Sequence, residues 1–168
     1  MKRSFKFLFS AALLAGSALT AWSADNQKAI EYFQSGFPEY AKAILLNNLQ
    51  DPSTNKEEAY FNLGEIYFEL NMPDSAAYYY QKGLEANPNS VANKVGTAKL
   101  KIQSDPKAAE AVFKELVSGK NKKNPEYYTL IGQAYLDNGD LEEATRYAEK
   151  AKQADVKYAD AYLLQGDI

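Results

Sequence analysis

The side chains in this sequence that could carry out chemistry are carboxylates, since its 168 residues include 22 Asp and Glu but no histidine and no cysteine. The missing imidazole removes the usual proton shuttle at neutral pH and the commonest metal ligand. The missing thiol removes a nucleophile, a soft zinc ligand and any disulfide. What remains is acid–base chemistry by paired carboxylates, or the binding of a hard cation such as Ca²⁺.

The densest group of carboxylates lies around a glycine in the segment 137–143, which reads DNGDLEE. Its spacing does not match the ligand pattern of a calcium loop. A turn followed by the start of a helix accounts for every residue, because Asn and Gly favour turns and Asp favours the position before a helix. Other carboxylate pairs have no pocket that would assign them to acid–base work. We therefore predict a protein that is not an enzyme, with no catalytic, metal-binding or cofactor-binding residues and no cofactor.

Residues 1–23 are predicted to be a cleavable signal peptide rather than part of the fold. A start with three basic residues is followed by the apolar run 7–18 and by small residues around Trp22, which places the cut after Ser23. An uncleaved anchor is the alternative, which the short run and its small polar residues disfavour. Attachment of a lipid would need a cysteine. The pattern predicts a Sec-type signal on a bacterial protein that is periplasmic or secreted.

The charge of the mature chain bears on its partners. Removal of the signal leaves 16 Lys and Arg against 22 Asp and Glu, a net charge of −6. Such a surface repels phosphate backbones, so we expect no nucleic-acid partner. No second apolar run is long enough to cross a bilayer, so we expect no stable membrane span after cleavage.

The strongest pattern is an internal repeat. Four similar short segments, YFNLG, NKVG, YTLIG and YLLQG, which we call the repeated phrase, each end at a glycine, and successive glycines are 32, 36 and 34 residues apart. These glycines are Gly64, Gly96, Gly132 and Gly166. A period near 34 with this phrase resembles the tetratricopeptide repeat, a pair of antiparallel helices.

Whole repeats align with that family. In the second repeat, the family's characteristic aromatic, small and proline places are filled by Tyr60, Leu63, Gly64, Tyr67, Ala76, Tyr80, Gly83 and Pro88. In the fourth, the corresponding residues are Tyr128, Ile131, Gly132, Tyr135, Gly139, Ala144, Ala148 and Ala151, and Val156 replaces the closing proline. The first repeat matches less fully, through Ala29, Tyr32, Gly36, Ala41 and Leu45. The resemblance covers essentially all of residues 26–168, and four repeats in phase make it specific.

The third repeat is irregular. Lys99 stands where a tyrosine is usual, and either Ala108 or Ala109 could be the alanine of the second helix. We favour Ala109, because this choice puts Phe113 in the aromatic place and Leu116 on the same helical face. The residues 119–125 then form a longer, basic connection.

The resemblance implies an all-α fold, a right-handed α-solenoid of about four and a half tandem helix-turn-helix repeats. After the signal peptide at 1–23, the expected units are a degenerate first repeat at 24–55, a second at 56–89, an irregular third at 90–124, a fourth at 125–158 and the start of a fifth at 159–168. Because this fifth unit has only its first helix, no second helix packs on it, and its apolar residues Tyr162, Leu163 and Ile168 are expected to stay in contact with solvent. We expect the chain to be a fragment of a longer protein.

In this family the first helices line the concave face, so the resemblance implies a binding surface formed by their residues that point away from the packing seam. These are Glu58, Phe61, Glu65, Phe68, Glu69, Asn93, Thr97, Leu100, Lys101, Thr129, Gln133, Leu136 and Asp137. Phe61 and Phe68 lie among carboxylates, which suits an extended peptide or a helix with apolar and basic side chains. The alternatives are that both phenylalanines pack against the neighbouring repeat and that the glutamates form a solvated face.

The leading hypothesis is an exported, non-catalytic scaffold that binds a protein or peptide partner. Some family members hold a partner's C-terminal carboxylate with lysines and asparagines, but Phe61 and Glu65 stand where such groups would be needed. One alternative is an accessory recruiting module of a longer enzyme or envelope protein. Another is a glycan-binding envelope protein, since the 13 tyrosines of the chain could supply stacking surfaces.

Overall fold

A computed structural model describes residues 24–168, and the predicted signal peptide lies outside them. The described residues form nine α-helices and one 3₁₀ helix, with no strand. The α-helices are α1 (Ala24–Gln34), α2 (Pro38–Asn48), α3 (Lys56–Glu69), α4 (Pro73–Ala86), α5 (Val91–Lys99), α6 (Pro106–Leu116), α7 (Pro125–Asp137), α8 (Leu141–Ala154) and α9 (Ala159–Asp167). The 3₁₀ helix, Gly119–Lys123, lies between α6 and α7, within the connection expected to be long and basic. The predicted all-α class of helical repeats is confirmed.

The helix starts follow from local sequence chemistry. Proline occupies the first position of four helices, α2, α4, α6 and α7, where its missing N–H costs no hydrogen bond. Asp105 and Asp140 cap α6 and α8, because their carboxylates accept the backbone N–H groups of Ala108 and Glu143, each at 3.1 Å. The predicted turn and helix start in the segment 137–143 are thereby confirmed.

Three helix pairs share one turn. Gly36, Asn71 and Gly139 follow α1, α3 and α7 with φ of 85°, 57° and 78°, the left-handed conformation that ends many helices. The next backbone N–H donates to the carbonyl five residues earlier, at 2.9 Å after α1 and after α3 and at 3.0 Å after α7. The turn is therefore closed by main-chain atoms, and the side chain that follows it is not needed for closure.

Unit 1 of the structure extends to Asn93. In it α1 packs on α2 and α3 packs on α4. Its core contains the fully buried small and apolar residues Ala29, Ala41, Leu45, Ala59 and Leu63, together with Ile66. Tyr79 of α4 stacks on Tyr67 of α3 with ring centroids 5.2 Å apart, which covers one side of this core.

Unit 2 comprises residues 94–168, so the division falls inside α5. Here α7 packs on α8, and α9 contacts both. On α6, Ala109, Phe113 and Leu116 are buried, which confirms Ala109 as the alanine of the second helix in the third repeat.

Two glycines of the repeated phrase allow close helix contact. A methyl group added at Gly64 would clash with the ring of Tyr80, 2.3 Å from its Cε1, and one added at Gly132 would lie 2.6 Å from Cδ2 of Leu164. A side chain at Gly64 would displace the buried Tyr80 ring, and one at Gly132 would push the end of the Leu164 side chain aside. Close contact thus accounts for the glycine in the second and fourth repeats, whereas a methyl group at Gly166 would meet no atom within 4 Å.

The last helix leaves apolar side chains in solvent, as expected. Tyr162 and Leu163 of α9 are exposed, and Ile168 is half-buried. None of the helices that the structure describes is both long enough and apolar enough to cross a membrane.

Candidate binding surface

On α3, Phe61 is not available to a partner. It is only 9% exposed, and its ring centroid lies 6.0 Å from that of Tyr80, which is fully buried. Phe61 therefore does not point away from the packing seam, and the contact that buries it is with Tyr80 of the same repeat rather than with a neighbouring one. Phe68, two turns later, is half-buried, which leaves part of its ring accessible.

Glu65 is likewise part of the packing between helices. It is 5% exposed, and its Oε1 accepts a hydrogen bond from the hydroxyl of Tyr80 at 2.6 Å. The tyrosine can reach this carboxylate because Gly64 leaves room for its ring. The prediction that Glu65 belongs to the ligand surface is corrected, because its role in the structure is to satisfy a buried hydroxyl.

Two further predicted site residues are buried. Asn93 is 0% exposed, and its amide donates to the carbonyl oxygen of Glu57 at 3.1 Å and to Oγ of Ser90 at 2.9 Å. Its side chain also fills the space beside Gly83. Thr129 is 7% exposed, and its hydroxyl donates to the carbonyl oxygen of Pro125 at 3.0 Å. The donor groups of both side chains are used in hydrogen bonds within the protein, so both are structural residues.

The accessible part of the α3 face combines Phe68 with carboxylates. Glu58 and Glu69 are half-buried on the same helix. Burial, and next the negative charge of Glu57, raise the pKa of Glu58 from 4.5 to about 7. This face therefore offers a partly accessible ring beside acidic groups.

Asn62, one turn after Glu58, was not expected from the sequence. It is 3% exposed, and among the described residues neither atom of its amide has a hydrogen-bond partner, nor has Oε1 of Glu58. Unpartnered buried polar atoms are rare because each carries a desolvation cost. The signal that could have indicated it is a polar amide inside the otherwise apolar phrase YFNLG.

In unit 2, the irregular Lys99 has a partner. Its ammonium lies 2.6 Å from Oδ2 of Asp137, and the two side chains are only 2% and 9% exposed. The amide of Gln133 donates to the other carboxylate oxygen of Asp137 at 2.7 Å. Asp137 and Gln133, both predicted to meet a ligand, are thus joined in a buried network around Lys99. A lysine can take the place of the usual tyrosine here because its ammonium pairs with the carboxylate of Asp137 on α7, the first helix of the following repeat.

The other site residues predicted in unit 2 retain some exposure. Lys101 is exposed, and Thr97, Leu100 and Leu136 are half-buried. Within the part of the chain that the structure describes, no group of three or more carboxylates could hold a metal ion.

Comparisons with known proteins identify repeats of one family and solved structures with a similar fold. Models of the tetratricopeptide repeat match residues 57–90 and 125–155. The structure of MamA 41-end from Desulfovibrio magneticus RS-1 has a TM-score of 0.51 and 18% identity, covering 88% of this chain and 93% of that chain. A MamA RS-1 double mutant gives 0.51 and 19%, covering 88% and 85%. YrrB, described as a TPR protein with an unusual peptide-binding site, gives 0.49 and 17%, covering 88% and 75%. No curated protein matches the sequence.

Proposed function

This chain is a tetratricopeptide-repeat protein, and we propose that it is an exported, non-catalytic scaffold that binds a peptide or a segment of another protein on the first helices of its repeats. Tetratricopeptide repeats are protein–protein interaction units, so their presence supports a protein–protein interaction scaffold. The observation that carries the proposal is the pair of repeat matches, at residues 57–90 and 125–155.

The chemistry of the α3 face supports a ligand with apolar and basic side chains. Phe68 is a half-buried aromatic ring, the type of side chain that anchors many interfaces. Glu69 beside it supplies negative charge. Glu58, earlier on the helix, adds to it once ionised, which the raised pKa of about 7 shifts to neutral pH and above. A basic residue of the partner next to an apolar one would match both, and charge of this kind mainly sets specificity and association rate.

Export is the second part of the proposal. It rests on the pattern of residues 1–23, in which basic residues, an apolar run and a small-residue motif follow one another. The expected mature chain begins at Ala24. Sequencing the N-terminus of the protein recovered from the periplasm or medium tests this, and an intact Met1 on cell-retained protein would contradict it.

The binding face is tested by photocrosslinking in the cells that make the protein. A photoreactive phenylalanine analogue is placed at Phe68, or at Tyr78 as a matched control, since Tyr78 is an exposed aromatic residue on α4. We expect a discrete crosslinked protein from position 68 and none from position 78. Equal products at both positions, or none at position 68, would refute binding at α3.

A further inference from the structure

A small surface pocket lies at the turn between α1 and α2, and four of its five lining residues are exposed. Its volume is about 250 Å³, and it is lined by Lys28, Glu31, Tyr32, Ser35 and Phe37. The lining combines aromatic rings with a cation, an anion and a hydroxyl. Cavities with a few polar groups on an apolar wall are the usual form of small-ligand sites.

Three aromatic rings form the apolar wall and its extension. Tyr32 and Tyr40 are stacked with centroids 5.8 Å apart, and Phe37 meets both edge-on, at 6.5 and 6.2 Å. Although they pack together, Phe37 is 52% exposed and Tyr40 is 64% exposed. Exposed aromatic side chains gathered in one patch mark interaction sites more often than scattered ones do.

The fold does not require these aromatic residues. The same turn, closed by the same main-chain hydrogen bond, follows α3 and α7, and there the residue corresponding to Phe37 is Met72 or Asp140. The residue corresponding to Tyr40, three positions later, is Ser75 or Glu143. Phe37 and Tyr40 are therefore specific to the first helix pair, and closure of the turn does not explain them.

The geometry selects among ligand classes. The 5.8 Å between Tyr32 and Tyr40 leaves no gap between the rings, so they cannot enclose a cation as an aromatic cage does. Lys28 in the wall also disfavours a cation, and Glu31 disfavours an anion. A neutral ligand with hydroxyl groups matches all three polar groups, because each hydroxyl both donates and accepts hydrogen bonds.

We propose that this cavity binds one ring of a neutral saccharide. The apolar C–H face of the sugar packs on Phe37 and Tyr32, and Tyr40 extends that platform. The hydroxyls of the sugar accept from the Lys28 ammonium, donate to the Glu31 carboxylate and exchange hydrogen bonds with Ser35. A proline-rich peptide would also pack on such rings, but it would bring no donor to Glu31.

The test is calorimetric titration of the full chain with maltohexaose, cellohexaose and N-acetylchitohexaose, with a proline decapeptide as comparison. We expect saturable binding of at least one saccharide, with little dependence on salt because the ligand is neutral. Phe37→Ala and Tyr40→Ala are each expected to weaken it on the order of tenfold, as loss of a stacked ring does. Glu31→Gln and Lys28→Met are each expected to weaken saccharide binding at least as much as Phe37→Ala and Tyr40→Ala do.

Tyr78→Ala is the matched control, because it removes an aromatic side chain of similar exposure, 56%, from another helix. Circular dichroism confirms that each variant is folded. Absence of saturable binding for all three saccharides would overturn the proposal, as would binding that Phe37→Ala and Tyr40→Ala leave unchanged. Binding of the proline decapeptide, sensitive to Phe37→Ala, would also overturn it and assign the site to peptides.

Discussion

Replacing Lys99 by methionine is expected to be one of the most destabilising substitutions in unit 2. The ammonium of Lys99 lies 2.6 Å from Asp137, and both side chains are at most 9% exposed. Without the ammonium, the Asp137 carboxylate stays buried with no opposite charge. Breaking a buried pair in this way costs about 3–5 kcal/mol. That is a large part of the roughly 5–15 kcal/mol that holds a typical domain folded.

The structure places the expected cost near the lower end of that range. Gln133 still donates to Asp137 at 2.7 Å, so the carboxylate keeps one hydrogen bond. We therefore expect a loss of about 3 kcal/mol for Lys99→Met. The double variant Lys99→Met with Asp137→Leu removes both charges and fills similar volume. It should regain most of this loss, since apolar replacement of a buried pair is often neutral or stabilising.

The assay is urea unfolding followed by far-UV circular dichroism. Lys114→Met is the matched control, because Lys114 pairs with Glu110 at 2.8 Å on the surface of α6, with side chains 67% and 40% exposed. Exposed pairs contribute little, so this variant should unfold close to the unmodified chain. A Lys99→Met variant no less stable than Lys114→Met would refute the reasoning, as would a double variant less stable than Lys99→Met.

Two further results are expected. Gly64→Ala should destabilise the fold by about 1–3 kcal/mol, because the added methyl group would clash with the buried Tyr80 ring. Gly166→Ala is the control and should not destabilise the fold, because its methyl group would meet no atom within 4 Å. Thermal unfolding of the two variants compares these effects. Burial and Glu57 raise the pKa of Glu58 from 4.5 to about 7, so the folded state binds that proton more tightly. The contribution of Glu58 to stability should therefore decrease as pH rises from about 4.5 to about 7. Burial also raises the pKa of Glu126, so Glu58→Gln should reduce the decrease seen in urea titrations, whereas the exposed Glu142→Gln should not. An unchanged pH profile in Glu58→Gln would contradict the prediction.

The fold was predictable because its determinants lie close together in the sequence. Gly64 and Gly132 end the repeated phrase where a neighbouring side chain leaves no room for a methyl group. Choosing Ala109 over Ala108 needed helical spacing, which also placed Phe113 in the core. Repetition of such local patterns identifies repeat architectures without knowledge of distant contacts.

The candidate site was less predictable, because helical spacing shows which residues share a stripe but not what that stripe meets. Phe61 and Glu65 share a stripe with Phe68, yet Tyr80 of the following helix covers the first two. Asn93 carries the polar amide expected of a ligand-binding residue, but its amide binds the main chain of Glu57. Burial by a neighbouring helix decided these outcomes.

The ion pair between Lys99 and Asp137 likewise could not be predicted from the spacing of residues within one helix. They are far apart in the sequence, and each taken separately suggested something else, an irregular repeat and a surface carboxylate. The structure joins them at 2.6 Å. A pair of this kind becomes visible only when both helices are placed, since the irregularity at Lys99 does not show which residue its ammonium meets.

The shared turn also bears on how the chain folds. After α1, α3 and α7 the turn closes through a hydrogen bond between residues only five apart, and the next helix then packs back on the one before it. Contacts between residues near in sequence form with a small loss of chain entropy, and proteins rich in them fold fast. Each of these helix pairs is therefore able to start folding by itself, and no single nucleus has to form first.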